Sequence, residues 1–422
     1  MEQKSNKIII YVYEDQLREL IADASQDIVW GVAFEWKGEN LYHVHTKFPK
    51  VAPSGYPTIA FFKIEKDKPT FENCKSSFQN IDDSVHKPGV SSFNSIIGIF
   101  LYLDEIKLYQ KAFIKTLNGV DECEVKFVPE KSELYSRSKG LIEVDILENK
   151  NTLIIGLGSF GSQIAVELAK AGVGNFTLVD FDRIELSNIS RHVCGVNELG
   201  RFKTFAIRDA ILVKNPFAKI ETYEKDINEN RDLLTQLIQK ADIVICATDN
   251  NRSRFNINEI AFELNKTVIF GRAVTRAEGG DVFKLKGKNS PCYCCLIGES
   301  DGMKYGGEEE ITSAQQANEV LPSYTTPEQR SAAVQVGLSS DILPICNLIV
   351  KLALVELSKG LNSGINSLEN ELTYDYYFWG NRRERHYLSY EPFNNSKGRP
   401  TILKWYGALI PQNPECSICN NS

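Results

Sequence analysis

The stretch Leu153–Arg191, LIIGLGSFGSQIAVELAKAGVGNFTLVDFDRIELSNISR, decides the fold of this chain. A short apolar run, Leu153–Ile155, enters a glycine turn built from Gly156, Gly158 and Gly161. The pattern predicts a helix after the turn and then a second strand, Phe176–Asp182, ending in acids. That order is the first βαβ unit of a nucleotide-binding sheet. The glycines let the backbone turn tightly and approach a phosphate, and the helix N-terminus offers free N–H groups and the positive end of its dipole.

The residues that follow separate an ATP site from a dinucleotide site. After the second strand come DFDRIELSNISRH (180–192), GRFK (200–203) and ATDN (247–250). An NAD enzyme needs one acid for the ribose and has no use for an Arg and a Lys a short way downstream. A triphosphate needs such cations, because it carries several negative charges. Asp180, at a strand end, can accept hydrogen bonds from ribose hydroxyls or cap the next helix. Asn188 and Arg191 lie three apart and share one face of a helical turn. Asp249 also ends a strand. It can serve a cation or cap the helix NRSRFNINEIA, a role open to Asn250 as well.

The serial order of glycine turn, DFD, SNxxR, GxxK, TDN and CxxC resembles the ThiF/MoeB/HesA superfamily, which includes the ubiquitin-activating enzymes. The likeness covers roughly residues 132–360 and the extreme C-terminus. It implies ATP-dependent adenylation of the C-terminal carboxylate of a ubiquitin-like protein. It further implies that Asp180 holds the ribose, and that Asn188, Arg191 and Lys203 reach the triphosphate. Asp249 would hold Mg²⁺, and Arg254 and Asn258 would line the site. Arg137, in LYSRSKGL, is similar to the arginine of an RYSRQ arm that enters the ATP site of a partner subunit, with Ser138 in place of the Gln. A homodimer is the corresponding expectation.

The chain has 422 residues, 42% of them hydrophobic and 24% charged, with a net charge of -7. Length predicts two or three domains. The acidic balance argues against nucleic-acid or membrane-surface binding. No apolar run approaches the ~18–20 residues of a membrane span, and MEQKSNK leads directly into a strand-like run, so a cytoplasmic protein is expected. Residues 1–130 read as an N-terminal α+β domain. It holds strand-like runs (KIIIYVY, IVWGVAFEW, NLYHVHTKF, TIAFFKI) and then a helical pattern over 91–117. Residues 131–360 alternate strand and helix as a doubly wound, mostly parallel α/β sheet. A Gly-, Glu-, Ser- and Thr-rich stretch of about 298–335 reads as a mobile loop. Residues 361–422 hold strand-like aromatic pieces and a tail that packs on the adenylation domain.

Cys292 and Cys295 form one CxxC and Cys416 and Cys419 another. Together they make a four-thiolate tetrahedral set, the usual closed structural zinc. The resemblance places such a staple here, between the C-terminus and the sheet. Thioester-forming relatives carry a nucleophilic Cys in the loop after the first CxxC. Leu296–Pro344 contains none. Cys194, Cys246 and Cys346 read as structural thiols, and Cys74 and Cys123 belong to the first domain. That domain also carries His43-x-His45 and Ser54, similar to part of a metal-dependent deubiquitinase pattern, but Pro57 stands near where its Asp would be. A docking module or a stand-in for an inactive second subunit is the expected role.

The implied reaction uses ATP and Mg²⁺. Its partners would be a ubiquitin-like protein ending in glycine and a downstream thiol-bearing conjugating or sulfur-transfer protein. The long N-terminal domain and tail resemble bacterial proteins of ubiquitin-like conjugation systems, some linked to phage defence. Activation of a sulfur-carrier protein and peptide-modifying adenylation are the alternatives within this class, and a non-catalytic scaffold that binds a ubiquitin-like protein is one outside it. An NAD(P)-binding oxidoreductase would leave Arg191, Lys203 and the cysteines unexplained.

Overall fold

The computed structural model describes residues 7–23, 27–49, 51–79, 95–105, 107–116, 118–128, 131–273, 277, 279–288, 290–298, 337–382 and 402–420. The stretch expected as a mobile loop therefore lies, from 299 onward, outside the described residues. The chain divides into two compact units, Met1–Ser136 and Arg137–Ser422.

In the first unit, β1 (Ile9–Tyr13), β2 (Ile28–Trp36), β3 (Leu41–His45), β4 (Tyr56–Ile64), β5 (Ser95–Asp104), β6 (Lys107–Thr116) and β7 (Gly119–Val128) close a barrel in the order β1-β3-β2-β4-β5-β6-β7. β1 runs parallel to both of its neighbours, β3 and β7. Alternate residues fill the interior, among them Ile10, Val12, Ala33, Tyr42, Val44 and Ile99. Helix α1 (Glu14–Ala22) adds Leu17 and Leu20 to this core. Helix α2 (Phe71–Gln79) covers an outer face, where Cys74 and Phe78 pack with Phe61, Phe100 and Phe113. The short helix α3 (Lys131–Leu134) follows.

The run 91–117, helical on its sequence pattern, instead supplies the antiparallel strands β5 and β6. The reason is burial on both sides. Ile97, Ile99 and Leu101 face the barrel interior, while Phe100 faces α2. A strand buried on both faces loses its apolar–polar alternation, and the remaining continuous apolar run carries no period.

The second unit is built on an eight-stranded sheet in the order β10-β9-β8-β11-β12-β13-β14-β15. Strands β8 (Asn151–Ile155), β9 (Asn175–Val179), β10 (Lys219–Tyr223), β11 (Ile243–Cys246) and β12 (Val268–Ala273) are parallel. Strands β13 (Gly279–Leu285), β14 (Tyr376–Gly380) and β15 (Lys404–Ala408) extend the sheet antiparallel. Helix α4 (Val144–Leu147) precedes β8.

Each face has its own core. On one side α5 (Ser159–Lys170), α6 (Lys203–Lys214) and the apolar helix α10 (Ser339–Leu357) bury Ile164, Ile207 and Ile349 against Ile154. On the other, α7 (Arg231–Lys240) and α8 (Asn251–Glu263) bury Leu234 and Ile257 against Leu153 and Ile155. The second core also takes in α9 (Tyr293–Ile297) and the C-terminal turn α11 (Ser417–Asn420). Strand order reverses at β8, whose neighbours β9 and β11 lead in opposite directions. A crevice at the C-terminal ends of such strands is where this architecture binds ligands.

Candidate active site

The glycine turn follows β8 directly. Gly156 has φ +87°, and a Cβ there would stand 2.7 Å from the Ala247 carbonyl oxygen. A Cβ on Gly161 would stand 1.9 Å from the Gly156 carbonyl oxygen, so only glycine lets α5 start this close to the strand. Gly158, the N-cap of α5, has open space where its Cβ would be. Its lack of a side chain leaves the helix N-terminus bare on the crevice side, the arrangement that admits a phosphate.

Asp180 directly follows β9 and braces this turn. Its Oδ2 accepts the Leu157 N–H at 2.6 Å, and its Oδ1 accepts the Asp182 N–H at 2.8 Å. Lys203, the first residue of α6 and buried, donates to Asp182 at 2.7 Å and lies 4.0 Å from Asp180. Burial raises the Asp180 carboxyl above its usual range, and the Lys203 ammonium opposes that shift.

Asn188 closes a 3₁₀ turn, its side-chain oxygen accepting the Glu185 N–H at 3.0 Å. Arg191 follows, and its carbonyl accepts the Ser159 hydroxyl at 3.2 Å, which fastens this segment to the first residue of α5. Among the described residues the Arg191 guanidinium makes no hydrogen bond or ion pair, and partial burial holds its pKa below the usual guanidinium range. A half-buried cation beside a bare helix N-terminus suits an anion.

Asp249 lies just past β11, the other neighbour of β8. Asn250 caps α8, its side chain accepting the Ser253 N–H at 2.9 Å. That leaves the Asp249 carboxylate exposed and outside the cap. Arg254 is buried and donates to the Thr248 carbonyl at 2.7 Å and to Asn251 at 3.0 Å, holding the loop that carries Asp249. Its charge is spent on the backbone of that loop. Arg137 is exposed on a 3₁₀ turn.

The four cysteines converge. Cys292 Sγ lies 3.9 Å from Cys295 and 3.5 Å from Cys416, and Cys295 Sγ lies 3.5 Å from Cys419. All four sulfurs fall within 4.8 Å of one another. A tetrahedron with Zn–S bonds of about 2.3 Å has edges of about 3.8 Å, so this donor set fits such an ion. The Asn413 N–H points at Cys295 Sγ at 3.4 Å, a contact typical of thiolate ligands.

The model of the ThiF family matches residues 135–392, more than half of the chain. The chain belongs to the ThiF family. Among curated relatives, the Drosophila virilis adenylyltransferase and sulfurtransferase MOCS3 is 34% identical over 151 residues, covering 36% of this chain and 33% of the relative. Candida albicans UBA4, named an adenylyltransferase and sulfurtransferase, is 30% identical over 227 residues, covering 53% and 45%. A Thermus thermophilus sulfur carrier protein adenylyltransferase is 29% identical over 183 residues, covering 41% and 66%. This ThiF chain thus spans about a third to two thirds of the length of these relatives. Among solved structures, E. coli MccB determined with ATP is 18% identical with a TM-score of 0.44, covering 65% of this chain and 68% of that one. PaaA is 19% identical with a TM-score of 0.47, covering 61% and 82%.

Two contacts of the ThiF unit, one made by His192 and one by the expected site residue Asn258, carry no sequence signal. His192 is buried beneath the glycine turn, with Nε2 2.9 Å from the Leu157 carbonyl oxygen. Asn258 is fully buried; its Oδ1 accepts the Tyr293 N–H at 2.7 Å and its Nδ2 lies 3.6 Å from Cys294 Sγ. It is therefore held against the first CxxC. In the barrel unit, His43 and His45 stack on Tyr11 and Tyr13, and neither joins a group of three or more metal-ligating side chains among the described residues.

Proposed function

We propose that this chain adenylates the C-terminal glycine carboxylate of a ubiquitin-like protein with ATP. The reading rests above all on the gathering, at the ends of β8, β9 and β11, of a bare glycine turn, the Asp180–Lys203 pair, Arg191, unpartnered among the described residues, and the exposed Asp249. The names of the relatives support it: each is called an adenylyltransferase.

On this reading the triphosphate lies across the N-terminus of α5, and the ribose hydroxyls donate to Asp180, whose oxygens keep free lone pairs. Asp249 would hold Mg²⁺, an ion that neutralises phosphate charge when bound. The glycine carboxylate is already ionised, so attack on the α-phosphorus needs no general base. Arg191, with Lys203, stabilises the charge that develops as pyrophosphate leaves. Lys203 must first exchange part of its pairing with Asp182 for phosphate. The protein contributes positioning and fixed charge. The cysteine cluster, as a zinc site, would pin the C-terminus to the sheet. Arg137 would act in a partner's site, making the active unit a homodimer.

A sulfur-carrier protein as the substrate is the second reading, favoured by the name of the Thermus thermophilus relative. Intact-mass analysis tests both. Carrier proteins ending in glycine are incubated with the chain and ATP, and an AMP adduct on the terminal glycine is sought. An adduct on a sulfur carrier alone would select the second reading. Its absence from every glycine-terminated carrier would count against adenylation.

A further inference from the structure

An enzyme that stores an acyl group on itself needs a sulfur that is exposed and able to ionise. The chain has ten cysteines, and all ten lie among the described residues as free thiols. None of the ten is exposed. Cys292, Cys295, Cys416 and Cys419 are the metal-site set. The other six are buried.

The two nearest the nucleotide site are the natural suspects. Cys246 ends β11, is fully buried and directs its sulfur at the Thr248 hydroxyl 3.5 Å away. Cys194 follows Arg191 by three residues but is buried in the hydrophobic core. Cys346 points from α10 at the Phe160 carbonyl, 3.9 Å away. Cys294 is held beside Asn258, Cys74 lies in the phenylalanine cluster under α2, and Cys123 belongs to the barrel core. Burial pushes the thiols of Cys123, Cys194 and Cys346 up to about 12 and that of Cys74 up to about 11. Burial closes all six sulfurs to a substrate carboxyl group.

We infer that this chain forms no thioester with its substrate: the acyl-adenylate itself is handed on, and the nucleophile that consumes it comes from another molecule. The inference rests on the adenylation proposed above. In the consuming step the acceptor's sulfur or nitrogen bonds to the glycine carbonyl carbon. The bond from that carbon to the phosphate oxygen breaks, and AMP leaves with the electron pair. The acceptor's proton passes to solvent, and nothing is oxidised or reduced. The next reaction in sequence is therefore thiolysis or aminolysis of a carboxyl adenylate.

The test uses the full chain, ATP, inorganic pyrophosphatase and a glycine-terminated ubiquitin-like protein that supports ATP–pyrophosphate exchange. Without added nucleophile, AMP should stay bound to the carrier. Intact masses under acidic, non-reducing conditions should show carrier–AMP and no chain–carrier adduct. Hydroxylamine or cysteamine should then release AMP steadily and give the carrier hydroxamate or thioester. A dithiothreitol-labile chain–carrier adduct, with AMP released before any nucleophile is added, would overturn the inference, and peptide mapping would identify the cysteine. Failure to find any glycine-terminated carrier that supports exchange would instead count against the adenylation reading, and with it this step.

Discussion

The His192 imidazole joins the Leu157 carbonyl to the loop that carries Arg191. Its Nδ1 accepts the Cys194 N–H at 3.1 Å, so Nε2 bears the proton it donates to the Leu157 carbonyl oxygen at 2.9 Å. The N–H of the same Leu157 is held by Asp180. One residue of the glycine turn is thus clamped from two sides, and the clamp sets where Arg191 stands relative to the helix N-terminus.

Replacing His192 tests this coupling. His192→Leu should raise KM for ATP about tenfold, the loss of a hydrogen bond worth about 1.4 kcal/mol, while His192→Gln, which can donate from the same region, should restore most of it. Burial holds the His192 pKa below its ordinary value. The unfolded chain takes up this proton at about 6.5, the folded chain only at lower pH. The clamp is therefore intact above about pH 6.5, and its contribution fades as pH falls toward the depressed value. Steady-state kinetics across pH should show an acid-side loss of ATP affinity that is reduced in His192→Gln.

The glycines divide by what surrounds them. Gly161→Ala must displace the Gly156 carbonyl and should destabilise the unit by at least about 1–3 kcal/mol, read as a lower midpoint of chemical denaturation. Gly158→Ala points a methyl into open space and should leave that midpoint nearly unchanged. It should nonetheless weaken ATP binding about tenfold or more, measured by calorimetry, because the methyl occupies the phosphate approach.

His45 offers a separate prediction for the barrel unit. It is 4% exposed, and among the described residues neither ring nitrogen has a hydrogen-bond partner. Burial, with a smaller push from His43, lowers its pKa to about 4. Its unfolded form protonates first, so stability present above about pH 6.5 is lost as pH falls to about 4, by on the order of 3 kcal/mol. His45→Phe should flatten that acid limb, as followed by denaturant midpoints between pH 7 and pH 4.

The cysteine cluster is tied to the nucleotide side through α8. Asn258 holds Tyr293 and Cys294, while Asn250 and Arg254 on the same helix hold the loop bearing Asp249. Cys416→Ser, or chelation, should release one equivalent of zinc and lower the melting temperature by several degrees. ATP affinity should fall with it. Elemental analysis and calorimetry on the same sample check both effects.

The strand–turn–helix–strand order at 153–182 was legible because a phosphate-binding turn demands particular residues at fixed spacing. The four-cysteine cluster was legible for the same reason: thiolate ligands on two CxxC motifs leave few arrangements. Strands β5 and β6 were not, since burial on both faces erases the alternation by which a strand is known. His192, and the hold of Asn258 on the first CxxC, were invisible because both depend on partners 35 residues away, which no local pattern records. Asp249 and Asn250 were ambiguous as neighbours; the cap falls on Asn250.

ATP–pyrophosphate exchange by the intact chain, with a glycine-terminated ubiquitin-like protein and Mg²⁺, tests the central claim most directly. The account predicts exchange that needs the carrier's last glycine. It also predicts a loss of about 10²–10³-fold in Arg191→Ala and loss of exchange in Asp249→Ala, each with the fold retained. Exchange that proceeds equally without the terminal glycine, or that survives Asp249→Ala and Arg191→Ala unchanged, would contradict it.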